Sequence, residues 1–238
     1  MESNKILAII PARGGSKSIP GKNLAVLDGK PLIQYTIDAA KNSKLIGRLI
    51  ISSDSHEIID YGRKNGIEAP FIRPDNLSCD DTPMIDVVHH AVEFMRDKNK
   101  YIPSYILLLQ PTSPLRNPGS IDSVLESLIE SGADSVVSVI QVPHNFNPYS
   151  VMRLEGQYLD SFLDFDEKNN IRQKKPEFFA RNGPAVLAFS YECLMEKHSM
   201  YGSKVLAYSM NREESIDIDD EFDLRIAECI IRNKDNKR

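Results

Sequence analysis

The sequence lacks several features that would mark a secreted, membrane or nucleic-acid-binding protein. Its three cysteines, Cys79, Cys193 and Cys229, are widely spaced, which favours reduced thiols over a disulfide framework or a metal-binding motif. No apolar run approaches the roughly 20 residues of a membrane-spanning helix, and because the first run begins at Ile6 we expect no signal peptide. The net charge of −5 lacks the basic excess that is usual in nucleic-acid-binding proteins. We therefore expect a cytoplasmic protein with neither a membrane nor a nucleic acid as its partner.

The length of 238 residues fits one large domain, or one domain with a small extra lobe. Apolar runs typical of buried strands alternate with amphipathic helical patterns of about 10–15 residues, and this order predicts a mainly parallel sheet with helices on both faces. The expected fold class is therefore α/β. Strands are predicted at residues 6–10, 49–51, 67–72, 104–109, 135–140, 184–190 and 205–210, and helices at residues 30–40, 55–65, 83–98, 121–131 and 220–232.

Residues 142–182 break this alternation and indicate a β-rich insertion, with Gly156 at a predicted hairpin turn. Insertions of this length are usually functional or form an interface. We predict a core of residues 1–141 and 183–238, and an inserted lobe of residues 142–182.

Polar residues follow three of the predicted strands, at residues 13–15, 52–54 and 110–113. In a parallel sheet the ligand crevice lies beyond the carboxyl ends of the strands. The three polar segments are therefore expected to meet in one crevice.

The loop after the first strand combines glycine with positive charge. Gly14 and Gly15 permit backbone N–H groups to approach an anion closely, and Arg13, Lys17 and Lys22 add cations that suit a polyphosphate. The loop matches neither the Walker A pattern nor the G-x-G-x-x-G fingerprint of dinucleotide-binding proteins. A solvated surface loop is the alternative, but the combination of these features on a buried strand favours a nucleotide triphosphate site.

Asp217 and Asp219 are two positions apart in a segment that is expected to be extended, so their side chains project to the same face. Neighbouring carboxylates repel each other unless a cation lies between them, and Mg²⁺ is commonly held by one or two carboxylates plus substrate phosphates. The alternative is that Asp219 or Asp220 caps the helix that follows. Both interpretations stay open, since capping needs only one of these acids.

Two neighbouring pairs of an arginine and an amide lie near the end of the insertion. Arg172-Gln173 and Arg181-Asn182 offer the donors that suit a substrate carboxylate. Such pairs are equally common on solvated loops, so these residues taken alone favour a solvated loop over a binding site.

Three stretches together resemble the CMP-sialic acid synthetase family, the cytidylyltransferases that activate nine-carbon 2-keto acid sugars. They read I-P-A-R-G-G-S-K-S-I-P-G-K-N at residues 10–23, L-L-L-Q-P-T-S-P-L-R at residues 107–116 and S-I-D-I-D-D-E-F-D-L at residues 215–224. The resemblance implies a glycosyltransferase-A-like nucleotidyltransferase fold. It also implies Mg²⁺-dependent transfer of CMP from CTP to the sugar acid with release of pyrophosphate, with Mn²⁺ as a substitute ion.

The resemblance further implies roles for individual residues. CTP would be held by Arg13, Gly14, Gly15, Ser16, Lys17, Lys22, Asn23, Arg73, Ser78 and Thr82. The sugar acid would be held by Gln110, Thr112, Ser113, Arg172, Gln173 and Asn182. Asp217 and Asp219 would bind the metal ion, and the catalytic residues would be Arg13, Lys22 and Asp219. The inserted lobe would make the protein a homodimer.

The sequence departs from the family pattern on the side of the sugar. It reads A-R-N-G-P at residues 180–184, where the family usually has R-P-N-G, and a lysine often found in the lobe is replaced around residues 147–149. The acceptor is therefore open among sialic, legionaminic, pseudaminic and other 2-keto acids. The rival interpretations are a cytidylyltransferase for the eight-carbon sugar of lipopolysaccharide and a non-catalytic dimer that binds a nucleotide sugar.

Overall fold

The computed structural model describes residues 5–163 and 175–235, which form a seven-stranded sheet packed between helices. The strands are β1 (Ile6–Pro11), β2 (Val26–Leu27), β3 (Lys30–Pro31), β4 (Arg48–Ser52), β5 (Tyr105–Leu108), β6 (Ser135–Gln141), β7 (Met152–Glu155), β8 (Tyr158–Ser161), β9 (Phe179–Arg181), β10 (Leu187–Ser190) and β11 (Val205–Ser209). The α-helices are α1 (Leu32–Lys41), α2 (His56–Lys64), α3 (Met84–Asn99), α4 (Pro118–Ser131), α5 (Tyr191–Met195) and α6 (Glu221–Asp235). The main sheet has the order β11-β6-β10-β5-β1-β4, with β9 beside β6.

Strand β1 is apolar throughout because both faces of the sheet are covered. Ala8 and Ile10 belong to an apolar cluster with side chains of α1, α2 and α4. Leu7 and Ile9 belong to a second cluster, on the other face, with side chains of α3 and α5. The predicted α/β fold, with a mainly parallel sheet and helices on both faces, is confirmed.

Strands β9 and β10 run opposite to the other five strands of the main sheet. Both pair with β6, β9 along residues 139–141 and β10 along residues 135–137. Residues 182–186 lie between these two strands, and there Gly183 has a left-handed φ of +89°. Because β10 is reversed, its first residues lie at the edge of the sheet where β5 ends.

Two segments differ from the expectations drawn from the sequence. Residues 67–72 form no strand, and only an isolated bridge joins Glu68 to Ile50 of β4. Pro70 lacks the N–H that a ladder needs, which accounts for the interruption. Helix α5 was not predicted, because its five residues are too few for a helical period to be visible.

The described part of the inserted lobe contains the hairpin of β7 and β8, which turns at Gly156 with a φ of +64°. Strand β9, which falls within the predicted lobe, instead extends the main sheet. The domain boundaries stay a prediction. In the described parts of the chain, no helix is long and apolar enough to cross a membrane.

Asp134 lies just before β6, at the end of the sheet opposite to residues 182–184. Its carboxylate accepts hydrogen bonds from Lys197 Nζ at 2.7 Å and from the backbone N–H groups of Ser203 at 2.8 Å and Lys204 at 3.0 Å. The Lys197 ammonium, followed by these backbone donors, holds the pKa of Asp134 well below its usual value of 3.8.

The substitution Asp134→Asn is expected to lower stability at neutral pH and to flatten the acid side of the stability profile. A carboxylate whose pKa is depressed by folding contributes fully above its unfolded pKa, and the contribution is lost as the pH falls toward the folded pKa. Melting temperatures measured from about pH 7 down to about pH 2 should therefore show a gap between wild type and variant that narrows below about pH 4. A gap that stays constant with pH would mean that the charge of Asp134 is not its source.

Candidate active site

The glycine-rich loop after β1 is held in place by two hydrogen bonds. The backbone N–H of Gly14 donates to Asp54 Oδ1 at 2.8 Å, and Asn23 Nδ2 donates to the carbonyl of Arg13 at 2.8 Å. A Cβ atom added to Gly14 would stand only 3.0 Å from the Cβ of Ser55, the residue that caps α2. Glycine therefore permits the close approach between this loop and the start of α2.

Two of the loop cations share one carboxylate. Arg13 Nη1 forms an ion pair with Asp80 Oδ1, and Lys17 Nζ lies 2.6 Å from Asp80 Oδ2. Hydrogen bonds from Lys17 and then Arg13 lower the pKa of Asp80. Asp80 thus supplies a negative charge at the place where the sequence predicts phosphate groups.

The third cation of the loop is joined to the segment before α6. Lys22 Nζ donates to the backbone carbonyls of Ile218 at 2.8 Å and Asp219 at 2.9 Å. The hydroxyl of Ser18 also donates to the carbonyl of Asp219. The predicted phosphate loop and the predicted metal segment are therefore neighbours.

Arg73 lies on the floor of the same region and is almost fully buried, with 4% of its surface exposed. Its guanidinium donates to the backbone carbonyl and the hydroxyl of Ser52. Burial lowers the pKa of Arg73 to about 10, with Asp54 acting in the opposite direction, so the side chain is a cation at neutral pH. Ser78 and Thr82 hydrogen-bond to backbone carbonyls within their own loop.

One cleft of about 180 Å³ lies beyond the carboxyl ends of β1 and β5. Eight of the predicted site residues line it: Arg13, Gly15, Ser16, Lys22, Asn23, Arg73, Gln110 and Thr112. The polar segments that follow β1 and β5 therefore meet in this cleft, and the segment after β4 lies beneath it through Ser52 and Asp54. The individual roles of these residues stay predictions.

The acidic segment before α6 divides its carboxylates between two environments. Asp220 Oδ1 accepts the backbone N–H groups of Phe222 at 2.7 Å and Asp223 at 3.2 Å, so Asp220 caps the helix. This leaves the carboxylates of Asp217 and Asp219 available for another role. No cluster of three or more histidine, cysteine or acidic side chains suited to a metal ion occurs in residues 5–163 and 175–235.

Asp217 is enclosed more deeply than Asp219. Its Oδ1 atom is buried without a hydrogen-bond partner, and burial raises the pKa of its carboxyl, against the hydrogen bond from Thr112 and the charge of Lys22. A Cβ atom added to Gly183 would stand 2.7 Å from Asp217 Oδ2. The absence of a side chain at position 183 therefore makes room for this carboxylate.

Gln110 connects the end of β5 to the start of β10, because its Nε2 atom donates to the carbonyl of Gly183 at 2.6 Å. Asn182 is buried, and its amide is used in hydrogen bonds with Ser138 and with the carbonyl of Ser215. The hydroxyl of Ser113 is also buried and has no partner among the described residues.

Two of the residues predicted to hold the sugar, Arg172 and Gln173, lie outside the described residues. Sequence reasoning missed the position of Asp80 against the loop cations. Asp80 lies 67 positions from Arg13, and no spacing in the sequence connects the two residues.

The substitution Asp80→Asn is expected to tighten the binding of inorganic pyrophosphate by roughly two- to tenfold, because exposed ion pairs contribute only modestly. Phosphate oxygens and the Asp80 carboxylate would compete for Arg13 and Lys17, and the variant removes the competing charge. Isothermal titration with pyrophosphate at low and high salt measures the effect, which should shrink as salt screens it.

Asp81→Asn is the matched control for this prediction. Asp81 is the adjacent exposed carboxylate and has no ion pair among the described residues. If Asp80→Asn binds pyrophosphate no more tightly than Asp81→Asn does, the Asp80 carboxylate does not compete with phosphate.

A family model described as "Cytidylyltransferase" matches residues 7–223. An N-acylneuraminate cytidylyltransferase of Escherichia coli is 32% identical over 98% of the chain, and the chain spans 54% of that protein. A CMP-N,N'-diacetyllegionaminic acid synthase of Legionella pneumophila is 33% identical, covering 95% of this chain and 96% of the relative.

A similar solved structure is a CMP:2-keto-3-deoxy-manno-octonic acid synthetase complexed with CTP. It aligns with a TM-score of 0.71 at 17% identity, covering 97% of this chain and 99% of the other. At this identity the likeness supports the fold alone.

Proposed function

Since the chain belongs to the cytidylyltransferase family, we propose that it transfers CMP from CTP to the anomeric hydroxyl of a nine-carbon 2-keto sugar acid and releases pyrophosphate. Relatives that align over nearly the whole chain are named for sialic and legionaminic acids. Another relative, of Campylobacter jejuni, is named a pseudaminic acid cytidylyltransferase and is 30% identical over 96% of the chain and 97% of its own length. These acids form the acceptor class.

One observation carries the proposal. Lys22 lies on the glycine-rich loop and donates to the carbonyls of Ile218 and Asp219, and therefore holds the predicted phosphate loop against the predicted metal segment. The cleft beside this contact is lined by Arg13, Arg73 and Gln110. A triphosphate in the cleft would thus meet cations from the loop on one side and carboxylates on the other.

The chain's own cations would carry out most of the nucleotide chemistry. The attacking sugar hydroxyl is a poor nucleophile and the α-phosphate is crowded with negative charge, so catalysis depends on positioning and on charge stabilisation. Arg13 and Lys22 would stabilise charge on the transferred and leaving phosphates, and Lys17 would bind the outer phosphates. Arg73, whose guanidinium donates a hydrogen bond to the hydroxyl of Ser52, would contact the nucleotide from the buried side of the cleft.

Asp217 and Asp219 would hold Mg²⁺, or Mn²⁺ in its place. The Oδ1 atom of Asp217 is buried and has no hydrogen-bond partner. It is suited to be a metal ligand, because a buried carboxylate oxygen is unfavourable unless a hydrogen-bond donor or a cation binds it. A pair of carboxylates also fits Mg²⁺, which draws its remaining ligands from water and phosphate. When bound, the ion would neutralise phosphate charge and lower the pKa of the attacking hydroxyl.

The lobe is proposed to form a homodimer. The hairpin of β7 and β8 exposes Leu154, Tyr158 and Leu159, each with about two thirds or more of its surface accessible (67%, 73% and 66%). A cluster of exposed apolar side chains on a short two-stranded sheet is typical of a protein–protein contact. We further propose a cytoplasmic location, where CTP is available.

Pyrophosphate release tests the function directly. The protein is incubated with CTP, Mg²⁺ and one acid from a panel that contains sialic, legionaminic, pseudaminic and the eight-carbon acid of lipopolysaccharide. We expect release that needs both the ion and a nine-carbon acid, and that stops when a chelator is added. Preference for the eight-carbon acid would support that rival, and binding of CTP without any release would indicate a non-catalytic dimer.

A further inference from the structure

Arg116 is a buried cation that lies behind the candidate site. Only 3% of its surface is exposed. Its Nε atom donates to the carbonyl of Ala185 at 2.8 Å, its Nη1 atom donates to Thr36 Oγ1 at 2.9 Å, and its Nη2 atom donates to the carbonyl of Gln110. All three nitrogens of the guanidinium are therefore engaged, each with a different segment of the chain.

The charge of Arg116 makes this arrangement costly. No carboxylate hydrogen-bonds to its guanidinium among the described residues, and burial lowers its pKa to about 9, with Asp217 the charge that opposes this. The side chain is thus still a cation at neutral pH. A buried arginine without a direct partner of opposite charge is less favourable for stability than an apolar side chain of similar size. What it offers in return is a planar set of donors that holds its hydrogen-bond partners in a fixed geometry.

The hydrogen bonds of Arg116 connect the segment after β5 to the segment before β10. Ladder pairing between these strands begins at Leu187 and Leu108, so residues 182–186 lie beyond it. In this gap Arg116 bonds the carbonyl of Ala185, and the Gln110 that it also holds donates from its side chain to the carbonyl of Gly183. Arg116 and Gln110 therefore replace the missing ladder where the chain returns from the lobe.

We propose that Arg116 is a positioning residue for the sugar-acid half of the site. It sets the places of Gln110 and Gly183 without touching either substrate, and its hydrogen bonds do not reach the nucleotide loop. This inference rests on the proposed function, in which Gln110 faces the sugar acid. Thr36 is part of the same device, because its hydroxyl accepts from Arg116 and lies 3.4 Å from the carbonyl of Gln110.

Kinetics with two substrates tests the proposal. Arg116→Lys keeps the charge but loses the planar fork, and we expect the KM for the sugar acid to rise about tenfold or more while the KM for CTP changes by less than about twofold. Thr36→Val removes one acceptor at nearly constant shape. It should raise the KM for the acid by a smaller factor, roughly two- to fivefold. It should also lower the melting temperature, because it leaves the buried Nη1 donor of Arg116 without its acceptor.

Two other arginine substitutions serve as matched controls. Arg73→Lys alters a buried arginine on the nucleotide side, and we expect it to raise the KM for CTP instead. Arg48→Lys alters an arginine that pairs with Glu68 at the far edge of the sheet, and neither KM should change. If the Arg116 and Thr36 variants change both KM values equally, or only lower the melting temperature, the positioning role is wrong.

Amide hydrogen exchange separates this inference from the proposed function. The backbone N–H of Val186 donates to Ser138 Oγ at 2.9 Å, inside the segment that Arg116 holds. Exchange at the amides of Gly183, Ala185 and Val186 should accelerate in Arg116→Lys and Thr36→Val but not in Arg48→Lys. If the wild type releases no pyrophosphate with any acid, the proposed function fails, while unchanged exchange in this segment would overturn the positioning role independently.

Discussion

Replacing Asp217 by asparagine is expected to reduce turnover by more than about 100-fold. Loss of a residue that only orients a metal ligand already costs about 10- to 100-fold in activity, and loss of the ligand itself should cost more. The variant replaces the buried, unpartnered carboxylate by an uncharged amide that cannot balance a divalent cation. Steady-state pyrophosphate release over a range of Mg²⁺ concentrations measures the loss, which higher Mg²⁺ should restore only in part.

Stability distinguishes this effect from misfolding. Burial raises the pKa of Asp217, so the ionised carboxylate is less favourable in the folded chain than in the unfolded chain, and removing its charge should not lower the melting temperature at neutral pH. Asp220→Asn is the matched control, because Asp220 caps α6 and asparagine is an equally good cap. Normal turnover in Asp217→Asn would contradict the proposed metal site.

The substitution Gly183→Ala is expected to destabilise the protein and to remove most activity. An L residue at a φ of +89° is strained by about 1–2 kcal/mol, and the added Cβ would lie 2.7 Å from Asp217 Oδ2 and 3.0 Å from its Cγ. Something must move, and the nearest group is the carboxylate that is proposed to bind the metal ion. Chemical denaturation and pyrophosphate release measure the two effects.

Gly29→Ala separates the strain from the clash. Gly29 has a φ of +80°, but no atom lies within 4 Å of an added Cβ. This control should lose a similar amount of stability from backbone strain and keep its activity. If Gly183→Ala is as active as Gly29→Ala, the close approach between Gly183 and Asp217 is unimportant for turnover.

The sequence predicted those parts of the fold that depend on local patterns. The buried run of β1 and the hairpin turn at Gly156 are both encoded by neighbouring residues. The prediction that polar segments meet beyond β1 and β5 rests on one general property of parallel sheets. It needed no knowledge of which strands are adjacent.

The direction of individual strands and the contacts between residues far apart in the sequence were harder to predict. The apolar run of β10 looks the same whether the strand is parallel or antiparallel, so its reversal had no local signal. The partners of Arg116 come from three segments that are far apart in the sequence, and a single arginine after a turn gives no indication of them. Burial of Asn182 likewise depends on a sheet edge that forms only in the folded chain.

The contact between Lys22 and the segment before α6 also bears on how the protein is made. Lys22 and Asp219 are 197 positions apart along the chain. No contiguous fragment much shorter than this separation can hold both halves of the site, although β1, β4 and β5 could already pair in such a fragment. In a nascent chain β1, β4 and β5 can therefore pair well before the candidate catalytic apparatus assembles, which happens only after residue 219 has been synthesised.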